Sequence, residues 1–184
     1  KYFLNERTIY SKNMKEELGT DNWRLLITHL FSLQNNLCQE MISSFPLTGH
    51  FFNYRESMLN WCPIGRNATI EDRKLWEELD KDGKIRKPLL EKIREFVNPL
   101  GMNLSIKLGG DTSFDIYPFG WDKTYPLVET DCFDNYDKIY FIGDRCERNG
   151  NDYEIYQHYR TESHKTTGVE HTAEIVNKIL SSNV

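Results

Sequence analysis

Cysteine is scarce in this sequence, and its spacing does not suit a zinc site. The 184 residues include four cysteines, which lie far apart and form no Cys-x-x-Cys pair. Zinc knuckles draw on closely spaced ligand pairs, so the spacing disfavours one. A chain of this size needs no disulfides, and we therefore expect reduced thiols and a cytoplasmic location.

Long apolar runs and excess positive charge are also missing. No segment approaches the roughly 18 apolar residues of a membrane span, and the N-terminus shows no signal segment. Lys plus Arg total 23 against 28 Asp plus Glu, a net charge of −5. Nucleic acid and anionic membranes do not attract an acidic protein that lacks a basic patch, so we expect neither as a partner.

Several common catalytic motifs are absent as well. The sequence has no P-loop, no Gly-x-Ser-x-Gly and no dinucleotide fingerprint, and its five histidines form no i,i+4 pair. A serine triad and a nicotinamide cofactor are therefore unsupported.

The segment from Gly49 to Pro118 carries the pattern of an α+β module. Its order is strand, strand, helix, helix, strand, strand, with Thr69 and Asp72 as a capping pair at the first helix. The strands are predicted at 50–55, 57–63, 103–108 and 113–118. This order is typical of an antiparallel sheet with helices packed on one face.

The flanking segments have a different pattern. Residues 1–10 predict a short strand pair, and 21–44 a long amphipathic helix. The continuous apolar run 138–142 indicates a strand buried on both faces, as in a parallel sheet. A final amphipathic helix is predicted to begin with a capping box of Thr167 and Glu170.

Three arginines, Arg55, Arg66 and Arg73, lie close to one another along the first module. Arg55 ends a predicted strand, Arg66 lies in a loop, and Arg73 lies in the first turn of a helix. Guanidinium groups that converge at a helix start form a pocket for phosphate. The alternative is that each pairs with a surface carboxylate.

Polar side chains also share one face of a predicted strand. Ser113 and Asp115 are two residues apart, so both point to the same side of the sheet. A hydroxyl beside a carboxylate suits the hydroxyls of a sugar, and Asn60 could add an amide. An exposed polar face of an antiparallel sheet explains the same pattern.

Asp144 ends the predicted buried strand, where ligands of open α/β sheets bind. This carboxylate, followed by Gly150-Asn151-Asp152, could hold Mg²⁺ or could cap a turn. Lys123, which opens a predicted helix, could face a phosphoryl group or be a solvated lysine.

Taken together, the strings resemble the eukaryotic-type phosphomannomutases of the haloacid dehalogenase superfamily. They occur in one order and at familiar spacing: Arg55-Glu-Ser-Met-Leu-Asn-Trp-Cys-Pro-Ile-Gly-Arg66, Glu71-Asp-Arg73, Gly109-Gly110, Ser113-Phe-Asp115, Gly120-Trp-Asp-Lys123, Phe141-Ile-Gly-Asp144 and Gly150-Asn-Asp-Tyr-Glu154. The resemblance runs over essentially the whole chain.

The resemblance implies an α/β fold in two parts. A Rossmann-like core of the haloacid dehalogenase type, here incomplete, would carry an inserted α+β cap of antiparallel sheet and helices. The cap would be residues 13–119, with 1–12 and 120–184 belonging to the core. Family members dimerise through the cap, so a homodimer through Phe51 and Phe52 is expected.

The implied reaction interconverts mannose 6-phosphate and mannose 1-phosphate, for GDP-mannose synthesis. An aspartate nucleophile would carry the phosphoryl group by way of a hexose 1,6-bisphosphate, with Mg²⁺ as cofactor. The resemblance assigns phosphate binding to Arg55, Arg66 and Arg73, and sugar binding to Asn60, Ser113 and Asp115. It assigns catalysis to Lys123 and metal binding to Asp144, Tyr156 and Thr161.

Two departures from the family pattern affect these expectations. The Asp-x-Asp-Gly-Thr motif that carries the nucleophile is nowhere in the chain, and the abrupt start at Lys1 fits a missing N-terminal part of the core. His158 replaces an aspartate in the loop of a second cation site, and histidine is a poorer ligand for a hard ion. Ser57, Trp61 and Cys62 also differ from the family and are expected to repack the hairpin.

Two alternatives remain open at this point. One is a sugar-phosphate phosphatase of the same superfamily, in which water takes the phosphoryl group. The other is a non-catalytic cap fragment that binds phosphosugars or dimerises.

Overall fold

The computed structural model describes residues 2–4, 7–41, 45–148 and 150–182. The chain divides into two compact units, the first ending at Phe119 and the second beginning at Gly120. Both contain helices and strands, so the protein is of mixed α/β class. The strands are β1 (Tyr2–Leu4), β2 (Arg7–Tyr10), β3 (Phe52–Tyr54), β4 (Leu59–Trp61), β5 (Leu104–Gly109), β6 (Ser113–Pro118), β7 (Ile139–Gly143) and β8 (Thr161–Lys165). The helices are α1 (Met14–Leu18), α2 (Thr20–Glu40), α3 (Ile70–Leu79), α4 (Arg86–Val97), α5 (Tyr125–Val128), α6 (Tyr153–Tyr156) and α7 (Val169–Ser182). None of the described helices has the length and apolar character to cross a membrane.

The beginning of the chain forms an antiparallel hairpin, β1–β2, followed by two helices. The predicted strand pair is confirmed, although its turn at residues 5–6 lies outside the described residues. Helix α1 was not predicted; Asn13 caps it by accepting the N–H groups of Lys15 and Glu16. Helix α2 matches the predicted long helix from Thr20 to Glu40, and the predicted residues 42–44 lie outside the described ones.

A four-stranded antiparallel sheet in the order β3-β4-β6-β5 organises the first unit. Its register joins residues of all four strands into rows that alternate in character. One row is polar: Asn53, Asn60, Asp115 and Lys107. The rows on either side of it are apolar and belong to the opposite face: Phe52, Trp61, Phe114 and Leu108, then Tyr54, Leu59, Ile116 and Ile106. The predicted antiparallel sheet is therefore confirmed, with one apolar and one polar face.

The apolar face of the sheet packs against helices. Trp61, Phe114 and Leu59 are almost completely buried. Helix α4 packs on β5 and against α2, whose Gln34 side chain accepts a hydrogen bond from the Trp61 indole. Helix α3 was predicted to pack on one face of the sheet. Its Trp76 instead packs beside Cys62, Ile64 and Ala68, which follow the end of β4. Ile70, at the start of α3, is 68% exposed because the helix contacts its neighbours through Trp76.

The second unit contains a parallel pair, β7 and β8; the parallel strand expected at residues 138–142 is confirmed, whereas β8 was not predicted. Strand β7 is half-buried along Ile139–Ile142 rather than buried on both faces, because β8 is its single strand neighbour among the described residues. The predicted capping box of α7 is also wrong. The helix begins at Val169, one residue later than that pairing needs, and Thr167 instead contacts the Nδ1 of His171.

Candidate functional site

The polar face of the sheet is organised by a buried amide, Asn60. Its Oδ1 accepts a hydrogen bond from Arg66 Nη1 at 2.8 Å. Its Nδ2 donates to Asp115 Oδ1 at 2.7 Å and to Ser113 Oγ at 3.0 Å. Asn60 is 2% exposed. One side chain therefore joins a cation to the hydroxyl and carboxylate that were predicted to bind a sugar.

The adjoining hairpin brings the carboxylate of Asp115 close to the backbone. Asp115 of β6 lies opposite Lys107 of β5. Gly109 follows Lys107 by two residues on β5 and pairs with Ser113. A Cβ built on Gly109 would lie 2.8 Å from Asp115 Oδ2, so a larger residue would displace the carboxylate. The hydroxyl of Ser113 donates to the Gly109 carbonyl at 2.7 Å. Glycine at this position therefore lets the two polar side chains lie side by side.

Arg66 is placed by a tight loop after β4. Gly65 has a φ of +87°, and a Cβ on it would lie 2.3 Å from the Gly49 carbonyl oxygen. Only glycine fits a positive φ at such close backbone contact. The backbone N–H of Arg66 then donates to His50 O at 3.4 Å, and its guanidinium turns back to Asn60.

Arg73 lies beside Arg66, in the first turn of α3. The capping box of Thr69 and Asp72 starts this helix as predicted. The guanidinium of Arg73 donates to the carbonyls of Ala68 and Arg66, both at 3.3 Å. A third contact joins Arg73 Nη1 to Thr112 Oγ1 at 3.5 Å. The structure therefore brings Arg66 and Arg73 together beside the polar face.

Arg55 is placed differently from the other two arginines. It follows Tyr54, which pairs with the first residue of β4, whereas Arg66 follows the far end of β4. Strand alternation puts Arg55 on the polar face, two residues after Asn53. Its side chain is exposed. Hydrogen bonds therefore place Arg66 and Arg73 beside the polar face, whereas Arg55 is assigned to that face by strand alternation alone.

A second group of candidate residues lies in the second unit, around Asp152. Its side chain is 4% exposed and forms an ion pair with Lys123. Its Oδ2 accepts the backbone N–H groups of Asp144 at 3.2 Å and Arg145 at 3.1 Å. Burial alone would raise the pKa of Asp152, but the hydrogen bonds from Lys123 and Arg145 outweigh it and lower the pKa. Asp152 is therefore an anion that holds Lys123, a partnership the sequence did not reveal.

Asp144 follows β7, as predicted, and its side chain is exposed. Asp152 differs from the prediction, because its two oxygens are occupied by Lys123 and two backbone N–H groups. Lys123 itself precedes α5 by two residues instead of opening the helix. Across the described residues, no group of three or more His, Cys, Asp or Glu side chains is arranged to hold a metal ion. On their own, these side chains supply one free carboxylate and do not fit a complete Mg²⁺ site.

The predicted second cation loop is closed by its own hydrogen bonds. The hydroxyl of Thr161 donates to Ile155 O at 2.7 Å and to His158 O at 2.9 Å. The Nδ1 of His158 accepts the N–H of Arg160 at 3.3 Å. Tyr156 is half-buried at the end of α6. Hydrogen bonds therefore connect the residues of this loop to one another, and a cation held by Tyr156 and Thr161 stays a prediction.

Cys146, a buried thiol near Asp152, is a poor candidate for a nucleophile. All four cysteines are free, and Cys62 and Cys146 are buried. Burial raises the pKa of Cys146, and the carboxylates of Asp152, Glu147 and Asp144 raise it further against the opposing charge of Lys165. A thiol with a raised pKa stays protonated at neutral pH and is a poor nucleophile.

Comparisons with known proteins agree on one family. A family model described as eukaryotic phosphomannomutase matches residues 2–182. A phosphomannomutase of Schizosaccharomyces pombe is 38% identical over 167 residues, which cover 89% of this chain and 61% of the relative. One of Dendrobium officinale is 37% identical over 173 residues, covering 94% and 64%. One of Drosophila melanogaster is 40% identical over 133 residues, covering 72% and 51%. The chain therefore spans 51% to 64% of the length of these curated relatives.

Proposed function

The chain belongs to the eukaryotic phosphomannomutase family, and we propose that the whole protein interconverts mannose 6-phosphate and mannose 1-phosphate. The observation that carries the proposal is the chain of contacts from Arg66 through Asn60 to Ser113 and Asp115. A cation, a hydroxyl and a carboxylate in one connected row match the phosphate and the hydroxyls of a hexose phosphate.

In this proposal the arginines and the sugar-binding residues have different roles. Arg66 and Arg73 hold the phosphate that does not react, and Arg55 joins them from the same face. Ser113 Oγ and the Asp115 carboxylate accept hydrogen bonds from the sugar hydroxyls, while Asn60 holds both groups in place. A mutase must bind its hexose 1,6-bisphosphate in two orientations, and a fixed arginine site serves whichever phosphate is idle.

The transferred phosphoryl group needs a nucleophile from elsewhere in the whole protein. The closest string in this chain is Asp80-Lys81-Asp82-Gly83, which lies between α3 and α4. Asp80 is buried, is ion-paired with Arg86 and accepts two backbone N–H groups at the start of α4. Those contacts occupy the carboxylate, so this string is structural. Lys123, held by Asp152, would face the phosphorylated aspartate and stabilise its charge.

When bound, Mg²⁺ would neutralise charge on the phosphoryl oxygens. Asp144 would be one of its ligands, and the others would come from outside the described residues. Calorimetric titration of Mg²⁺ into Asp144→Asn should show weaker binding than in the wild type. Equal binding by the two proteins would remove Asp144 from the metal site.

The proposal assigns the first unit after residue 12 to the cap, and the rest to a Rossmann-like core. The parallel pair β7–β8 supports the second assignment, because Rossmann-like cores are built on parallel sheets. Asp144 follows the carboxyl end of β7, where ligands of such sheets bind.

A homodimer through the cap is also proposed. Strand β3 lies at one edge of the sheet, and four aromatic side chains cluster beside it: Phe31 with Phe52 at 4.8 Å, and Trp23 with Tyr54 at 5.0 Å. Phe31 is 56% exposed. Phe31→Asp should lower the mass measured by light scattering to that of a monomer, whereas Leu100→Asp, also at an exposed apolar residue, should not. A monomeric wild type would overturn the dimer.

The test of the phosphate site is direct binding. Arg73→Ala should weaken mannose 6-phosphate binding by at least about tenfold, measured by calorimetry, with circular dichroism unchanged. The control is Lys74→Ala, which removes a neighbouring exposed cation from the same helix. Similar affinities in wild type and Arg73→Ala would rule the site out.

The reaction is tested separately with the purified whole protein, mannose 1-phosphate and a hexose bisphosphate. Formation of mannose 6-phosphate supports the mutase. Release of inorganic phosphate would indicate a phosphatase instead, and binding without turnover would indicate a phosphosugar-binding module.

A further inference from the structure

The hairpin turn at residues 110–112 joins β5 to β6 and immediately precedes Ser113. Each of its residues is held by a side chain from a helix. Arg86 Nη1 donates to Gly110 O at 2.9 Å, Trp76 Nε1 donates to Asp111 O at 3.1 Å, and Arg73 Nη1 donates to Thr112 Oγ1 at 3.5 Å. A turn at the end of a hairpin is usually mobile, whereas this one is attached at three successive residues.

Arg86 is itself held by a buried carboxylate. The side chain of Asp80 is 2% exposed and that of Arg86 is 13% exposed. Asp80 Oδ2 accepts from Arg86 Nε, while Oδ1 accepts the backbone N–H groups of Ile85 at 2.9 Å and Arg86 at 2.8 Å. Both carboxylate oxygens are therefore engaged, and the guanidinium has one orientation, with its outer arm on Gly110.

The position of the turn determines the position of the proposed sugar-binding groups. Ser113 pairs with Gly109 across the hairpin, and its hydroxyl donates to the Gly109 carbonyl. The carboxylate of Asp115 packs against the Cα of Gly109, where no Cβ would fit. A shift of the turn therefore moves both side chains.

The arginines of the same site have other anchors. Arg66 is held by Asn60, and Arg73 is held by the carbonyls of Ala68 and Arg66 as well as by Thr112. If the turn moved, Arg73 would lose only the longest of its three hydrogen bonds, the one to Thr112. Arg66 would keep its hydrogen bond to Asn60. The phosphate-binding arginines thus depend less on the turn than Ser113 and Asp115 do.

We propose that Arg86 is a positioning residue for sugar recognition: fixed by Asp80, it holds the turn that places Ser113 and Asp115. This inference rests on the proposed function of the same site. It predicts different effects on the sugar-binding and phosphate-binding residues. Loss of Arg86 should weaken contacts to the sugar hydroxyls and leave phosphate binding in place.

The test compares two ligands on the purified protein by calorimetry, mannose 6-phosphate and inorganic phosphate. Arg86→Lys keeps a cation beside Asp80 but lacks the second arm that reaches Gly110. We expect its affinity for mannose 6-phosphate to fall by about tenfold, and its affinity for inorganic phosphate to stay within about twofold.

The matched control is Arg94→Lys on the same helix. Arg94 also joins a carboxylate, Glu91, to a β5 carbonyl, that of Ile106, but it does not contact the turn. Its two affinities should both match those of the wild type. Equal losses for both ligands in Arg86→Lys, or no loss for either, would overturn the positioning role.

Amide hydrogen exchange gives a readout that does not need the ligand. In Arg86→Lys the amides of residues 110–113 should exchange faster than in wild type, while those of α4 keep their rates. If wild type binds neither ligand, the proposed function fails, and unchanged exchange at the turn would separately overturn the role of Arg86.

Discussion

Asn60 illustrates how much of the candidate site depends on one neutral side chain. A primary amide has both an acceptor oxygen and two donor hydrogens. Asn60 uses the oxygen for Arg66 and the nitrogen for Ser113 and Asp115. No carboxylate or hydrocarbon of similar size can serve both sides, so this position requires an amide.

Substitution of Asn60 by aspartate tests that requirement. Asn60→Asp removes the donor and places a second carboxylate beside Asp115, and we expect a loss of about 2 kcal/mol in the free energy of unfolding. Hexose phosphate binding should be lost at the same time. Urea denaturation and calorimetry measure the two effects.

The control for this substitution is Asn53→Asp. Asn53 lies in the same polar row but on the edge strand β3, and it is half-buried. Its change should cost less than about 0.5 kcal/mol. Similar losses at both positions would show that Asn60 has no special place in the site.

The ion pair of Asp152 and Lys123 predicts a dependence of stability on pH. The folded-state pKa of Asp152 is lowered, since the contacts from Lys123 and two N–H groups outweigh burial. A lowered pKa stabilises the fold above the unfolded value of about 3.9, and this stability is lost as the pH falls through the folded pKa.

Removal of the lysine should reduce that loss. In Lys123→Met burial acts on Asp152 with less compensation, so its folded-state pKa lies closer to the unfolded value and stability should fall less in acid than in wild type. Lys123 is about half exposed, so the cost at pH 7 should be only about 1 kcal/mol. Lys138→Met, at an exposed lysine before β7, is the control. Identical pH profiles for Lys123→Met and wild type would contradict the pairing.

At the scale of elements, a polar contact inside an apolar interface attaches α2 to the sheet. Gln34 is 7% exposed. Its Oε1 accepts from Trp61 Nε1 at 2.7 Å, and its Nε2 donates to Pro63 O at 3.0 Å. Trp61 also stacks on Phe114, with ring centroids 4.9 Å apart. The expected repacking around Trp61 thus involves an amide partner on the helix as well as aromatic neighbours.

Gln34→Leu should therefore destabilise the protein although it adds an apolar group. It leaves the indole N–H and the Pro63 carbonyl unpaired in the core, at a cost of about 2 kcal/mol. Urea denaturation measures it, with Gln39→Leu on the exposed side of α2 as the control. The double variant Gln34→Leu with Trp61→Phe should recover part of the loss, because it has no indole N–H to satisfy. A purely additive double variant would argue against the contact.

For the molecule as a whole, the apolar core is concentrated in the first unit. Of the buried apolar residues in the described part of the chain, all but Leu127 and Cys146 lie before Gly120. Helix α7 is amphipathic, yet none of its residues is buried, and Leu180 is 62% exposed. Buried apolar area is the main source of stability, so the two units should differ in local stability.

Hydrogen exchange should show this difference directly. Amides of β4, β6 and α4 should exchange only when the first unit unfolds, and those of α7 at least about 100-fold faster through local opening. Rates are compared after correction for intrinsic exchange, in native buffer. Equal protection of α7 and β6 would contradict the expected difference.

Much of the fold could be predicted from local patterns. The alternation along 113–118 gave the polar and apolar faces of β6, and Thr69 with Asp72 marked the start of α3, because both signals act within a few residues. The errors came where burial depends on distant elements. The apolar run in β7 was predicted to be buried on both faces, but nothing in its own sequence specifies a covering surface.

By itself, the sequence determined the strand and helix order between Gly49 and Pro118, the two faces of the antiparallel sheet and the residue types available for a sugar phosphate. Only the tertiary structure decided how those residues combine: Arg66 on Asn60, Lys123 on Asp152, and Arg86 between Asp80 and the turn that precedes Ser113. Arg55, assigned to the same pocket by sequence, is exposed and directly follows β3. The physical reason is that strand alternation and helix caps arise from neighbouring residues, whereas contacts between side chains on different elements depend on how whole elements pack.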